Sequence, residues 1–287
     1  MTVFSRMKQN RTASLCLVAL AYMTAISVGV AVYAVLPLPW YLALLFSDIA
    51  ATATMFVFSL VYGNASTYDA YWSVQPIVIL VGFSMNTEMT LPRILLLIAV
   101  LLWGVRLTVN WGYTFQNLRW QDWRYTMLRE KSGVFYPAVS FLGIHLFPTL
   151  VVYLCVLPAA YVFVNDGAWN VGSIVFFVFA LMATLLQGIA DFEMHKYRRN
   201  KTEPFIRSGL WKYSRHPNYL GEILMWWAVG LSALSIFPKA FYLLTGALVN
   251  TLMFLFVSIP MADRRQARKD GFAEYKRETR MLLPIKK

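Results

Sequence analysis

The sequence predicts an all-α fold, a polytopic membrane bundle of about eight transmembrane helices. Three observations carry this expectation. Hydrophobic residues make up 59% of the 287 residues and charged residues only 14%, whereas a soluble chain is about a quarter charged. The mean hydropathy is +0.54. The apolar runs are long and continuous rather than alternating, and in lipid such runs pair their backbone groups internally as helices.

The runs fall roughly at 12–36, 41–63, 71–86, 91–110, 138–164, 170–190, 219–236 and 239–260. The first follows Arg6, Lys8 and Arg11. It is too long for the apolar region of a signal peptide and lacks a small-residue cleavage site, so it reads as a span. The second holds Asp48 beside Ser47 and small residues, where an interhelical hydrogen bond accounts for it. The third and seventh runs are short and rich in polar residues. The fourth carries Arg106 in LLWGVRLTVNW, close enough to its end to snorkel to the interface. His145 stands alone on an apolar face of the fifth and is expected to be a hydrogen-bonded structural histidine. Cys16 and Cys155 fall within spans as buried, apolar-like thiols, and no disulfide framework is indicated.

Charge sets the orientation. Twenty-three of the 26 Lys and Arg residues lie in the N-terminal tail, in 111–137, in 191–218 and in 261–287. An eight-helix count puts all four segments on one side, and the positive-inside rule makes that side cytoplasmic. Both termini are therefore expected in the cytoplasm of a multi-pass protein, in a bacterial inner membrane or, in a eukaryote, the endoplasmic reticulum. The bilayer and its anionic headgroups account for part of the net charge of +12. Nucleic-acid binding is not expected, because no soluble domain remains to present a basic face.

The segment QGIADFEMHKYRRNKTEPFIRSGLWKYSRHPNYLGE, ending at Glu222, holds more than orienting charge. Arg and Lys clamp phosphates, aromatic rings stack on a base, and Asn and Glu bond a carboxamide or ribose hydroxyls. One phosphorylated, ring-bearing cofactor uses all three classes. No glycine-rich dinucleotide fingerprint is present. No metal site is expected, since His195 and His216 have no ligand residues at helical or finger spacing. Asp69, in YDAYWSVQP, precedes a short apolar run.

GLWKYSRHPNYLGE (209–222) resembles the C-terminal signature of the membrane steroid 5α-reductases and related sterol reductases. LWGVRLTVNW followed by RWQDWRY, Asp191 with Arg198 beyond it, and FAEYKRETRMLLP extend the resemblance over residues 65–287. It implies a reductase domain over 65–287, preceded by N-terminal transmembrane helices in 1–64. The first span then adds to a seven-helix core. The resemblance further implies NADPH bound in a cavity open to the cytoplasm, with hydride passed to a carbonyl-conjugated C=C bond of a lipidic substrate resembling a 3-oxo-Δ4-steroid. Asn218 and Glu222 are then expected near the nicotinamide, together with His216 in the same motif. Arg198, Tyr213 and Arg215 lie along the phosphates and ribose, and Arg106, Arg119, Arg124 and Asp191 complete the cofactor set. Asp69 falls where the steroid enzymes carry a catalytic glutamate. The family's catalytic tyrosine is replaced by Trp103, which has no hydroxyl, and Tyr68 or Tyr71 is the expected substitute.

Two other readings stand beside this one. RHPNYLGE also resembles the RHPxYxG motif of isoprenylcysteine carboxyl methyltransferases and phospholipid methyltransferases, which bind S-adenosylmethionine. Those enzymes often carry a Glu-Glu pair after the last span, where this chain reads SIPMADRRQARKD. A non-enzymatic lipid-binding or transport protein is the third reading, although a transporter is expected to show an internal repeat. The bland alternatives are an N-cap role for Asp69 and a helix start for RHPNYLGE, with Glu222 at the helix N-terminus.

Overall fold

The computed structural model describes residues 3–284, which form helices joined by short connections, with one isolated parallel bridge between Ser214 and Arg280. After a short helical turn at Val3–Met7, the main helices are α1 (Arg11–Val35), α2 (Trp40–Tyr62), α3 (Tyr71–Ser84), α4 (Leu91–Thr114), α5 (Trp123–Val164), α6 (Val171–Arg199), α7 (Pro217–Ile236), α8 (Phe241–Gln266) and α9 (Phe272–Glu278). Among the described residues, seven are long and apolar enough to cross a membrane: α1, α2 and α4–α8. The polytopic helical bundle expected from the sequence is therefore present.

Two runs differ from expectation. The third forms a helix of only 14 residues, about 21 Å at 1.5 Å per residue, short of a hydrocarbon core about 30 Å thick. The fifth begins earlier than expected. α5 has 42 residues and absorbs much of the expected 111–137 loop. Its irregularities have local causes: Gly133 takes φ 51° in a 3-10 turn, and residues Ser140–Leu146 are π-helical.

The chain packs as two compact units. The first comprises the chain up to Val81 with Leu107–Tyr153; the second comprises Gly82–Arg106 and the chain from Leu154 onward.

In the first unit, α1 meets α2 along Ser14, Val18, Ala21, Ala25 and Gly29, all buried. Their spacing puts small groups on one helical stripe, which lets two membrane helices approach closely. A Cβ on Gly29 would stand 3.3 Å from both Ala51 Cβ and Ser47 Oγ, and Ser47 donates to the Gly29 carbonyl at 2.7 Å. Thr52 bonds Thr149 at 2.7 Å on the next face. Asp48 is buried beside the Gln75 side chain of α3, with no partner at its Oδ2, and Ser47 and Thr52 make further interhelical bonds. Cys16 lies on the outward face of α1, whereas Cys155, in the second unit, is buried as expected. His145 is the expected structural histidine: Nδ1 donates to the Ser140 carbonyl at 2.9 Å and Nε2 lies 2.9 Å from Ser59 Oγ.

One end of this unit is tied by cross-links among distant segments. Arg11 donates to the carbonyls of Phe115 at 3.0 Å and Gly112 at 2.8 Å. Asn64 donates to those of Leu118 at 2.9 Å and Trp120 at 2.7 Å. The start of α1, the end of α2 and the end of α4 therefore share one end of the unit.

In the second unit, α6 and α7 form the tightest pair. Gly221 makes this possible: a Cβ there would fall 2.5 Å from Gln187 Cγ and 2.7 Å from the Ala183 carbonyl oxygen. The close backbone approach at Gly221 is thus made to α6.

Candidate functional site

The second unit holds a buried carboxylate. α7 opens with Pro217 at its first position, where a missing N–H is harmless. Glu222 is the sixth residue of α7 and lies in its second turn, so it does not cap the helix N-terminus as the sequence alone allowed. It is 4% exposed. Its Oε2 accepts from Trp103 Nε1 at 2.8 Å and Gln187 Nε2 at 2.6 Å, and its Oε1 accepts from Trp226 Nε1 at 2.8 Å. Gln187 also accepts from Arg106 at 2.6 Å, and Arg106 pairs with Asp191 at 2.7 Å. A polar chain thus runs Asp191–Arg106–Gln187–Glu222 through α4, α6 and α7. Each N–H bond to a carboxylate contributes about 1.5–3 kcal/mol, and without them burial would expel the charge.

A second carboxylate holds the turn that precedes α7. Asp263, from α8, accepts from Arg215 Nη2 and His216 Nε2, both at 3.0 Å. Arg215 also donates to the Thr279 carbonyl at 2.6 Å, and its backbone N–H donates to the Arg280 carbonyl at 3.0 Å. The Tyr275 hydroxyl donates to the Trp211 carbonyl. The C-terminal segment is strapped over RHPNY. Arg215 and His216, expected along the cofactor, have their guanidinium and imidazole engaged by protein groups, so they shape the turn. His216 also stacks on Tyr219, with centroids 5.2 Å apart.

Asn218 differs. It sits in the first turn of α7, and its Oδ1 is buried with no hydrogen-bond partner. Lys212 and Tyr213, just before α7, and Arg198, in the last turn of α6, are exposed.

The first unit holds Asp69. Asn64 accepts the Ser66 N–H at 2.8 Å, and Ser66 Oγ accepts the Asp122 N–H at 2.8 Å, which fixes the turn 64–69 against the residues that open α5. The Asp69 carboxylate accepts the Tyr125 hydroxyl, with Arg124 at 3.8 Å. Burial raises its pKa from 3.8 to about 6, offset in part by Arg124 and Tyr125. Neither expected tyrosine is bonded there. The Tyr68 hydroxyl pairs with Thr149 at 2.5 Å, and burial pushes its pKa well up. Tyr71 is buried with its ring against Tyr22 and Tyr68. The first carbonyl accepting in α3 belongs to Ala70, so Asp69 lies outside the cap position. Arg119 is exposed and donates to Ser5 at 2.8 Å.

The structure thus brings together Arg106 with Asp191, Arg215 with His216, and Asp69 with Arg124. Sequence reasoning missed Gln187, Trp226, Asp263 and Tyr125. Gln187 and Trp226 were detectable as polar groups on apolar helices. Asp263 and Tyr125 come from segments too distant in sequence to be paired by spacing.

Residues 55–279 match the family described as "Protein of unknown function (DUF1295)". The chain belongs to the DUF1295 family. An "Uncharacterized protein" of Schizosaccharomyces pombe is 28% identical over 197 residues, covering 57% of this chain and 56% of that protein. The chain therefore spans little more than half the length of that relative. No solved structure matches. Against the family boundaries, the match begins inside α2 and includes Asp69, the Glu222 network, Asp263 and the C-terminal strap as far as Thr279.

Proposed function

We propose that this DUF1295 chain is a membrane reductase that uses NADPH to reduce a carbonyl-conjugated C=C bond in a lipidic substrate, with its reductase part in residues 65–287. The observation that carries this reading is the orphaned Oδ1 of Asn218 at the mouth of α7. A buried unpaired acceptor costs about 1–3 kcal/mol, and an N–H donor on a ligand ring, such as a carboxamide, satisfies it. Exposed Arg198 and Lys212 suit phosphates, and the exposed Tyr213 ring suits stacking. The residues present fit NADPH, which supplies hydride when bound.

In this reading the other groups of the second unit position rather than touch. Glu222 locks α4, α6 and α7 through two indoles and Gln187, and Asp263 holds Arg215 and His216 so that Asn218 faces its ligand. Asp69 holds a proton shared with Tyr125. A carboxyl whose pKa burial raises to about 6 holds a proton more readily than a free one, which suits the acid that the resemblance implies for this position.

The orientation reading is part of the proposal. Arg11 bonded to Phe115 and Gly112 supports an even number of crossings between α1 and the end of α4. Short α3 then counts as the remaining crossing, both termini share one side, and the basic segments make it cytoplasmic.

The test is thermal stability of the detergent-purified chain with NADPH, NADH and S-adenosylmethionine in parallel. At 100 times its dissociation constant NADPH adds about 2.7 kcal/mol. Stabilisation by S-adenosylmethionine instead would overturn the reductase in favour of a methyltransferase.

A further inference from the structure

The first unit contains a cleft that none of the groups above uses. It has a volume of about 410 Å³ and is lined by residues from the end of α2, the following turn and the irregular part of α5. That volume lies within the range of small-molecule sites. Leu60, Ala65, Val134 and Pro137 make its walls apolar.

Two polar groups in the lining point to a ligand class. Tyr136 is 8% exposed, and its hydroxyl is buried with no hydrogen-bond partner. A buried hydroxyl without a partner is uncommon, and it has a proton to donate. Arg129, exposed on the rim, holds its guanidinium 4.7 Å from the centroid of the Tyr136 ring. A buried, unpartnered donor on a residue that lines an apolar cleft, with an exposed cation against its ring, calls for an acceptor that carries negative charge. The floor adds no competing cation: Ser59 Oγ is 2.9 Å from Thr67 Oγ1 and from His145 Nε2, whose ring is held by the Ser140 carbonyl.

The rim explains how such a ligand enters. Gly133 takes φ 51° with open space where a Cβ would stand. The turn it makes leaves Val134 88% and Phe135 72% exposed next to Arg129 and Lys131. Exposed apolar side chains flanked by cations suit the boundary between headgroups and acyl chains.

We propose that this cleft binds an anionic oxygen headgroup, a carboxylate or phosphate monoester, carried on an apolar chain. The headgroup accepts the Tyr136 hydroxyl and faces Arg129, and the chain lies along Leu60, Val134 and Pro137. This site is independent of the reductase reading.

The test is displacement of a fluorescent polyene fatty acid from the full chain in a neutral maltoside detergent. Dodecanoate and dodecyl phosphate displace the probe, and dodecanol at tenfold higher concentration does not. Tyr136→Phe and Arg129→Gln each weaken dodecanoate at least tenfold. Displacement by inorganic phosphate alone identifies a free small anion as the source; its failure identifies a lipid. Equal displacement by dodecanol, or unchanged affinity in both variants, overturns the proposal. If a variant does not fold, photocrosslinking of a diazirine fatty acid to the wild-type chain decides: label within 129–140 supports the site, and label confined elsewhere overturns it.

Discussion

Trp103 donates its indole N–H to the buried carboxylate of Glu222 at 2.8 Å, joining α4 to α7 across 119 residues of sequence. Where the resemblance expects a tyrosine hydroxyl, this chain has a different donor with a structural task. Trp103→Phe removes the N–H and also leaves part of a fully buried site empty. It is expected to cost more than about 1.5–3 kcal/mol, the scale of a hydrogen bond to a charged group. Thermal melts check this. A double-mutant cycle with Glu222→Gln is expected to show coupling; strict additivity would mean the bond contributes nothing.

Gly221→Ala tests the packing that carries the same network. The added Cβ would press on Gln187 Cγ and the Ala183 carbonyl. Overpacking of this kind costs about 1–3 kcal/mol, and Gln187 must shift away from Glu222. A melt unchanged from wild type would show that the α6–α7 approach is looser than described.

Asp263→Ala leaves Arg215 and His216 without their shared carboxylate. Removing one partner of a buried ion pair costs about 3–5 kcal/mol. The C-terminal strap is expected to loosen first, which limited trypsin digestion reads as faster cleavage in the basic stretch 264–269. Unchanged cleavage would separate Asp263 from the strap.

Asp69 gives a pH signature. Its folded pKa is raised by burial from 3.8 to about 6. A raised acid pKa stabilises the fold fully below about pH 4, and that contribution is lost as pH rises through about 6. The loss over that window is about 3 kcal/mol at about 1.36 kcal/mol per unit. The stability of Asp69→Asn relative to wild type should therefore rise between pH 4 and 6. Turnover that depends on the protonated carboxyl is expected to fall tenfold per unit above about pH 6. Asp69→Asn is expected to lower it about 10²–10⁴-fold. A flat stability difference would refute the buried-acid assignment.

The sequence made the helices legible because apolar length is a one-dimensional signal. It located α3, which fills 71–84 of the expected 71–86 but is too short to be counted as a span, and it failed at α5, where a basic, aromatic stretch reads as a loop yet continues the helix. Pairs within one segment, such as Arg215 with His216, were legible from adjacency. Glu222 was legible as a buried polar residue, but its donors come from α4, α6 and α7 itself, and only the fold brings those faces together. The assignment of Tyr68 or Tyr71 beside Asp69 failed for the same reason: neighbours in a turn point apart, and Tyr125 arrives from another helix.

The central claim, a nicotinamide cofactor held at the mouth of α7, is tested most directly by NADPH affinity. The measurement is quenching of tryptophan fluorescence in the detergent-purified chain, wild type against Asn218→Leu. The account predicts saturable NADPH binding that Asn218→Leu weakens at least tenfold while the melting temperature holds. No saturable NADPH binding by the wild type, or equal affinity in the variant, would contradict it.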